Sequence, residues 1–230
     1  MTRGICAVIA GAVLAVQTGA SAAEVHFSPM SGARMTATVQ SLFEQRWEHV
    51  ARQSLDVSCG SAALATILRA QYGDGVTEEE IIRAILERVA QKDVARRGGF
   101  TLLDLKRVAM SMGYTVHGYK LSFDELRELD TPALVPISIR GYKHFVVYRG
   151  AVGGRVFLSD PAFGNLVVRD FLFEAMWDDI VLVIGQRPGG PVPARLSITG
   201  SEAGALGTQD ALRTFMQQGG FPLEFSPDEF

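Results

Sequence analysis

Cysteine is nearly absent from this chain: two residues, Cys6 and Cys59, stand among 230. So few exclude a disulfide-stapled scaffold, the usual device of small secreted domains. Basic clusters are missing as well. The formal net charge is −3, and Lys and Arg are not concentrated in any segment. That removes the electrostatic reason to expect a nucleic-acid partner. Past residue 16 no apolar run is long enough to span a bilayer, so no integral membrane domain is expected. The four histidines have no ligand-like spacing with the cysteines, so neither a metal nor another cofactor is expected. No internal repeat is present.

What is there begins with an export-type N-terminus. Arg3 supplies a short positive region and residues 5–16 form a short apolar run. Ala20-Ser21-Ala22 and Ser21-Ala22-Ala23 both fit a small-x-small cleavage pattern. Residues 1–23 therefore read as a signal peptide, with a mature start near Ala23 or Glu24 and a periplasmic or extracellular destination. The alternative is an uncleaved anchor, for which the apolar run is short. Cys6 falls inside this segment, so the exported chain carries Cys59 alone, with no partner for an internal disulfide. A lone thiol in an oxidising compartment points to chemistry; the plain alternative is a buried, inert cysteine acting as a small hydrophobe.

The remaining chain divides by composition. Residues 24–46 show few periodic apolar positions and read as a flexible segment. Residues 47–187 carry the folded domain. From Gly60 to Gln71 the pattern is helical, with Leu64, Ile67 and Leu68 on one face. Thr77 opens a second helix with Glu80 in capping-box position and Ile81, Ile82, Ile85, Leu86 and Val89 as its buried stripe. Lys92–Gly99 reads as a polar link, and Thr101 with Asp104 opens a third helix that ends at Gly113. The period then becomes strand-like, over Thr115–Lys120, Leu134–Ile139, Lys143–Arg149, Arg155–Ser159, Leu166–Arg169 and Ile180–Ile184. A short helix lies around Leu126 and another over Asp170–Trp177. Three helices followed by antiparallel strands make an α+β fold. Residues 188–230 are a Pro/Gly-rich tail without a core of its own, with one candidate helix at Gln209–Gln217.

The chemistry centres on Cys59, placed where a loop turns into a helix, with Ser58 as candidate N-cap and Gly60 leaving room for close approach. A helix N-terminus favours a thiolate, and its N–H groups suit a developing oxyanion. A cysteine nucleophile needs a base and usually an orienter. His26, His49 and His117 read as surface or structural. His144 opens an apolar strand at a cleft-facing mouth; a structural strand-end histidine fits the position equally well. Asp160 is on its own an Asp-Pro turn former, but the hairpin returns it beside the His144 strand. Gln53, six residues before Cys59, reads either as an exposed polar residue or as an amide donor to an oxyanion.

Gln53 with Cys59-Gly60, then Gly98-Gly99-Phe100-Thr101-Leu102-Leu103-Asp104, Lys143-His144-Phe145-Val146-Val147-Tyr148 and Ser159-Asp160-Pro161-Ala162-Phe163-Gly164, resemble the bacteriocin-processing, double-glycine leader peptidase family in order and spacing. The resemblance covers about residues 48–187. It implies a papain-like fold, with a helical half followed by an antiparallel sheet, and cleavage of leader peptides after Gly-Gly. It also implies Cys59 as nucleophile, His144 as general base and acid, Asp160 as orienter and Gln53 as oxyanion donor. Ser58 departs from the acidic residue that many members carry before the cysteine. The export signal makes the chain resemble stand-alone exported members, some of which serve secretion of surface amyloid or adhesive proteins. The expected partners are thus a peptide or protein with an extended cleavage site and a secretion system. Two other functions stay open on sequence: acyl transfer by the same Cys–His–Asp logic, and a peptidase-like module that binds a secretion signal without cutting it.

Overall fold

A computed structural model of the chain describes residues 23–27, 35–39, 41–187, 196–199 and 202. The signal segment before Ala23 and the candidate helix Gln209–Gln217 lie outside the described residues. The chain forms two compact units, one through Leu42 and one from Phe43 onward. In the first, strands β1 (Ala23–Phe27) and β2 (Met35–Val39) pair antiparallel, with Ala23 opposite Val39 and Phe27 opposite Met35. Residues 24–46, expected as a flexible segment, thus contain a paired ribbon and the helix α1 (Leu42–Trp47). Five-residue runs of mixed polarity give too few repeats for the alternation to show in sequence.

The second unit sets a helical half against one antiparallel sheet. The helices are α2 (Cys59–Thr66), α3 (Glu78–Leu86), α4 (Gln91–Arg97) and α5 (Leu102–Ser111). The strands are β3 (Thr115–Lys120), β4 (Ala133–Ile139), β5 (Tyr142–Val152), β6 (Arg155–Asp160), β7 (Gly164–Arg169) and β8 (Ile180–Gly185), in sheet order β3-β8-β4-β5-β6-β7. Two further helices, α6 (Phe123–Arg127) and α7 (Asp170–Met176), interrupt the strand series. Thr77, Thr101 and Ser122 each close a capping box with Glu80, Asp104 and Glu125, which fixes where α3, α5 and α6 begin. The stretch expected as a polar link is the helix α4. Val94 is its one buried residue, and a single apolar position carries no period.

The sheet has an apolar core on each face. Toward α2–α5 it packs Leu134, Val147, Leu182 and Ile184 against Leu64, Ile67, Leu68 and Leu105. Toward α6 and α7 it packs Val135, Val146, Tyr148 and Val181 against Leu126, Phe173 and Trp177. Every residue of α2 is buried, so the stripe expected on one face is instead a helix enclosed all round. Burying side chains such as Leu64 and Leu68 contributes about 2 kcal/mol each. Past Thr66 the helix widens into a π-helical turn, Ile67–Gln71, before Gly73 ends it.

Two turns fix the strand that carries His144 and its neighbour. Gly153 and Gly154 have φ of 59° and 73°, the double left-handed requirement of a two-residue hairpin turn, and they return the chain from β5 to β6. At the head of β7, Gly164 has φ of 81°, and a Cβ there would lie 2.3 Å from the Arg46 carbonyl oxygen. Beside it Asn165 Nδ2 donates to the Glu48 carbonyl at 3.0 Å. The β6–β7 turn is thereby seated against the end of α1.

Part of the Pro/Gly-rich tail is docked on this unit. Leu196 is buried in the helix-side core. Arg149 on β5 donates from Nε to the Leu196 carbonyl at 2.9 Å and binds both carboxylate oxygens of Glu202 at 2.6 and 2.9 Å. One leucine anchor and one bidentate ion pair do not register in composition. Among the described residues, no helix is long and apolar enough to cross a membrane.

Candidate active site

Cys59 is the first residue of α2, and its helix packs across β5. The absent side chain of Gly60 permits that approach: a Cβ there would sit 2.8 Å from Leu105 Cδ1 and 3.0 Å from Phe145 Cδ2. Ser58 occupies the N-cap position, yet its side chain does not cap the helix. Its hydroxyl accepts the Leu55 N–H at 3.1 Å and contacts the Glu78 carboxylate instead. The Leu55 N–H takes the oxygen as acceptor and the carboxylate holds the hydroxyl turned away from the helix, so the helix N–H groups are left uncapped by Ser58.

His144 is the third residue of β5. Its Nε2 lies 2.9 Å from Asp160 Oδ1, and the Cys59 thiol hydrogen-bonds the same ring. With Nε2 committed to Asp160, Nδ1 is the nitrogen left to face the sulfur. All three groups are withdrawn from water: Cys59 is 5% exposed, His144 1% and Asp160 2%. Burial pushes the His144 pKa down. The Asp160 charge, its hydrogen bond and the adjacent Cys59 more than reverse this, raising it to about 10.

Asp160 ends β6 and serves two purposes at once. Its Oδ1 also accepts the N–H of Ala162 at 2.7 Å and of Phe163 at 3.2 Å, so it forms the Asp-Pro turn as well as holding the imidazole. The pairing of β5 with β6 sets Val147 opposite Ser159, which puts Asp160 on the same sheet face as His144.

Gln53 stands at the head of the loop that leads to Cys59. Its backbone N–H donates to the Pro161 carbonyl at 3.0 Å, which ties this loop to the turn after Asp160. Its Nε2 donates to the Leu55 carbonyl at 3.3 Å, and its Oε1 is buried without a partner. A bond of that length is weak and readily exchanged for a stronger acceptor. Of the histidines read as surface or structural, His49 and His117 are exposed, and His26 belongs to β1.

Two residues at this site were not singled out from sequence. Tyr142, at the head of β5, donates its hydroxyl to the Asp56 carbonyl at 3.0 Å, joining the His144 strand to the loop before Cys59. Burial raises its pKa, with Cys59 and Asp56 adding to the effect. Glu78, the first residue of α3, is buried and accepts two hydrogen bonds from the Ser54 N–H at 3.0 and 3.1 Å. In sequence it is one of three consecutive glutamates that suit a helix start, and nothing local tells which of them turns inward.

Residues 47–189 match the Peptidase C39 family. The chain is similar to the "Probable functional amyloid protease FapD" of Pseudomonas aeruginosa, 39% identical over 176 residues, or 76% of this chain and 77% of that protein. The protein of the same description from Pseudomonas fluorescens is 41% identical over 153 residues, 66% of this chain and 67% of its own length. Among solved structures, the peptidase domain of Streptococcus ComA, a bi-functional ABC transporter involved in quorum sensing, superposes with a TM-score of 0.52 at 17% identity, over 60% of this chain and 98% of that one. A double glycine motif protease from an AMS/PCAT transporter, solved with a leader peptide, gives 0.51 at 24% identity, over 62% and 91%. At these identities the two structures speak to the fold, the papain-like arrangement of a helical half and an antiparallel sheet.

Proposed function

Because the chain belongs to the Peptidase C39 family and is thereby a cysteine peptidase, we propose that Cys59 is its nucleophile, His144 its general base and acid, Asp160 the residue that orients His144, and Gln53 a donor to the oxyanion. The observation that carries this reading is the hydrogen-bonded line from the Cys59 thiol through His144 to Asp160, closed off from water. In the low dielectric of such a site the imidazolium stabilises a neighbouring thiolate strongly.

The thiolate attacks a peptide carbonyl carbon, forming the C–S bond and placing negative charge on the carbonyl oxygen. The Cys59 N–H at the start of α2 and the Gln53 Nε2, released from Leu55, stabilise that oxygen. Collapse breaks the C–N bond, and His144 gives its proton to the departing amine. Water then attacks the thioester, with His144 taking its proton, and the acid product leaves as the thiol is restored.

The substrate on this reading is an extended peptide segment of a secreted protein or leader, cut after Gly-Gly. The description of one structural neighbour as a double glycine motif protease, and of the curated relatives as amyloid proteases, supports that class. Mapping new termini in a diverse peptide mixture should show cuts concentrated after paired glycines. Cuts with no glycine preference would overturn the Gly-Gly assignment, and no cuts at all would overturn hydrolysis of free peptides. We further propose that residues 1–23 direct export and are removed, so that the enzyme serves a secretion system outside the cytoplasm. The N-terminal mass of protein recovered from the periplasm should then begin at Glu24, or at Ala23 where cleavage falls one residue earlier; an intact Met1 terminus retained in the cytosol would contradict it.

A further inference from the structure

We infer that Glu78 is a positioning residue for the oxyanion site, holding the loop 53–58 in the shape that brings the Gln53 amide and the Cys59 N–H to bear on one oxygen. The inference rests on the reading of Gln53 as oxyanion donor given above.

Glu78 enters the site from a different element. It is the first residue of α3, whose own start is already capped by Thr77 and Glu80, so its carboxylate is not needed for that purpose. It points into the helical half, where it is 5% exposed. A carboxylate buried to that degree costs several kcal/mol unless donors satisfy it. The donors come from the loop before the nucleophile: the Ser54 N–H bonds both oxygens, at 3.1 Å to Oε1 and 3.0 Å to Oε2, and the Ser58 hydroxyl, shared with the Leu55 carbonyl at 2.8 Å, bonds Oε1. Ser54 follows Gln53 and Ser58 precedes Cys59, so the carboxylate grips the loop at both ends.

Between those ends the loop closes on itself through Leu55. The Ser58 N–H donates to the Leu55 carbonyl at 3.2 Å and the Leu55 N–H to Ser58 Oγ at 3.1 Å. The Leu55 carbonyl is also the acceptor that holds Gln53 Nε2. The amide that must reach the oxyanion and the acceptor it must leave are therefore both set by a turn built on Glu78. If the turn shifted, the buried carboxylate would lose its donors, and that penalty keeps the loop in one shape. Charge-assisted bonds make the grip stronger than a neutral residue would provide. A donor aimed at the developing charge acts only if it is held in place before the reaction, which is how a residue remote from the substrate affects the rate.

The test compares Glu78→Gln, Gln53→Ala and the double variant on a cleaved peptide, alongside binding of a peptide aldehyde and alkylation by iodoacetamide. The aldehyde's hemithioacetal carries the oxygen that the oxyanion site holds, whereas iodoacetamide needs only the thiolate. Glutamine keeps the shape of Glu78 but turns an amide N–H₂ toward the Ser54 N–H or the Ser58 hydroxyl. In Glu78→Gln, kcat should fall about tenfold or more and aldehyde affinity should fall with it, with KM and the alkylation rate within about twofold of the wild type. In the Gln53→Ala background the same change should cost about twofold or less, since the donor it positions is gone. An undiminished loss in that background, or a parallel fall in alkylation, overturns the inference. Full activity in Gln53→Ala instead removes the oxyanion reading on which it rests. Ser58→Ala, which removes one donor and leaves the charge, should move the same readouts less far; it keeps the test open if Glu78→Gln does not fold.

Discussion

Replacing Cys59 by alanine should lower kcat/KM for any peptide the wild type cleaves by on the order of 10⁶, to the limit of detection in a chromatographic assay. The methyl group offers no nucleophile, and the imidazole beside it has nothing to activate. What survives is binding and the oxyanion donors, which without a covalent step have little developing charge to stabilise. The fold should tolerate the change, because Cys59 is small and makes no disulfide, and alanine is a good helix former at its position. Retained cleavage in a folded Cys59→Ala protein would mean that the thiol at the head of α2 is not the nucleophile.

Asp160→Asn should be nearly as severe, and it carries a pH signature. In the wild type the buried His144 has its pKa lowered by burial but raised on balance to about 10 by the Asp160 charge, its hydrogen bond and Cys59. The imidazolium beside Cys59 therefore persists well into the alkaline range. Asparagine keeps a hydrogen-bonding group but removes the charge, and burial then drives the ring toward its neutral form at lower pH. We expect kcat/KM to fall by about 10⁴ and the alkaline limb of the pH–rate profile to move to lower pH. An alkaline limb in the same place as the wild type's would refute the role given to Asp160.

Stability should change in the corresponding direction. A raised folded-state pKa contributes stability that is complete below the unfolded-state value of about 6.5 and is lost as pH rises through about 10. Urea unfolding of the wild type should thus weaken across that window through this group. The Asp160→Asn variant should lack that part of the slope.

Strands and capped helices could be read along the chain because their signals are local. Val146, Val147, Leu182 and Ile184 sit in apolar strand runs, and Thr77, Thr101 and Ser122 are each followed three residues later by the acid that closes the capping box. Elements with one anchor were missed. Helix α4 buries Val94 alone, and the tail is fastened by Leu196 and the Arg149–Glu202 pair. Ser58 takes the N-cap position expected of it but makes no side-chain cap, because its oxygen accepts the Leu55 N–H and its hydroxyl turns to Glu78, twenty residues further on.

The sequence by itself determined which residues bring chemistry: a cysteine at a helix start, a histidine at a strand mouth, an aspartate at a turn, each with an ordinary alternative. Register, packing and contact set where those side chains meet. The β5–β6 pairing and the bare α-carbon of Gly60 bring the three side chains together. The same packing turns Glu78 inward onto the loop before Cys59. The physical reason is range. Helix and strand signals act over one or two turns of chain, whereas a buried charge is satisfied by whatever donors the folded core brings to it.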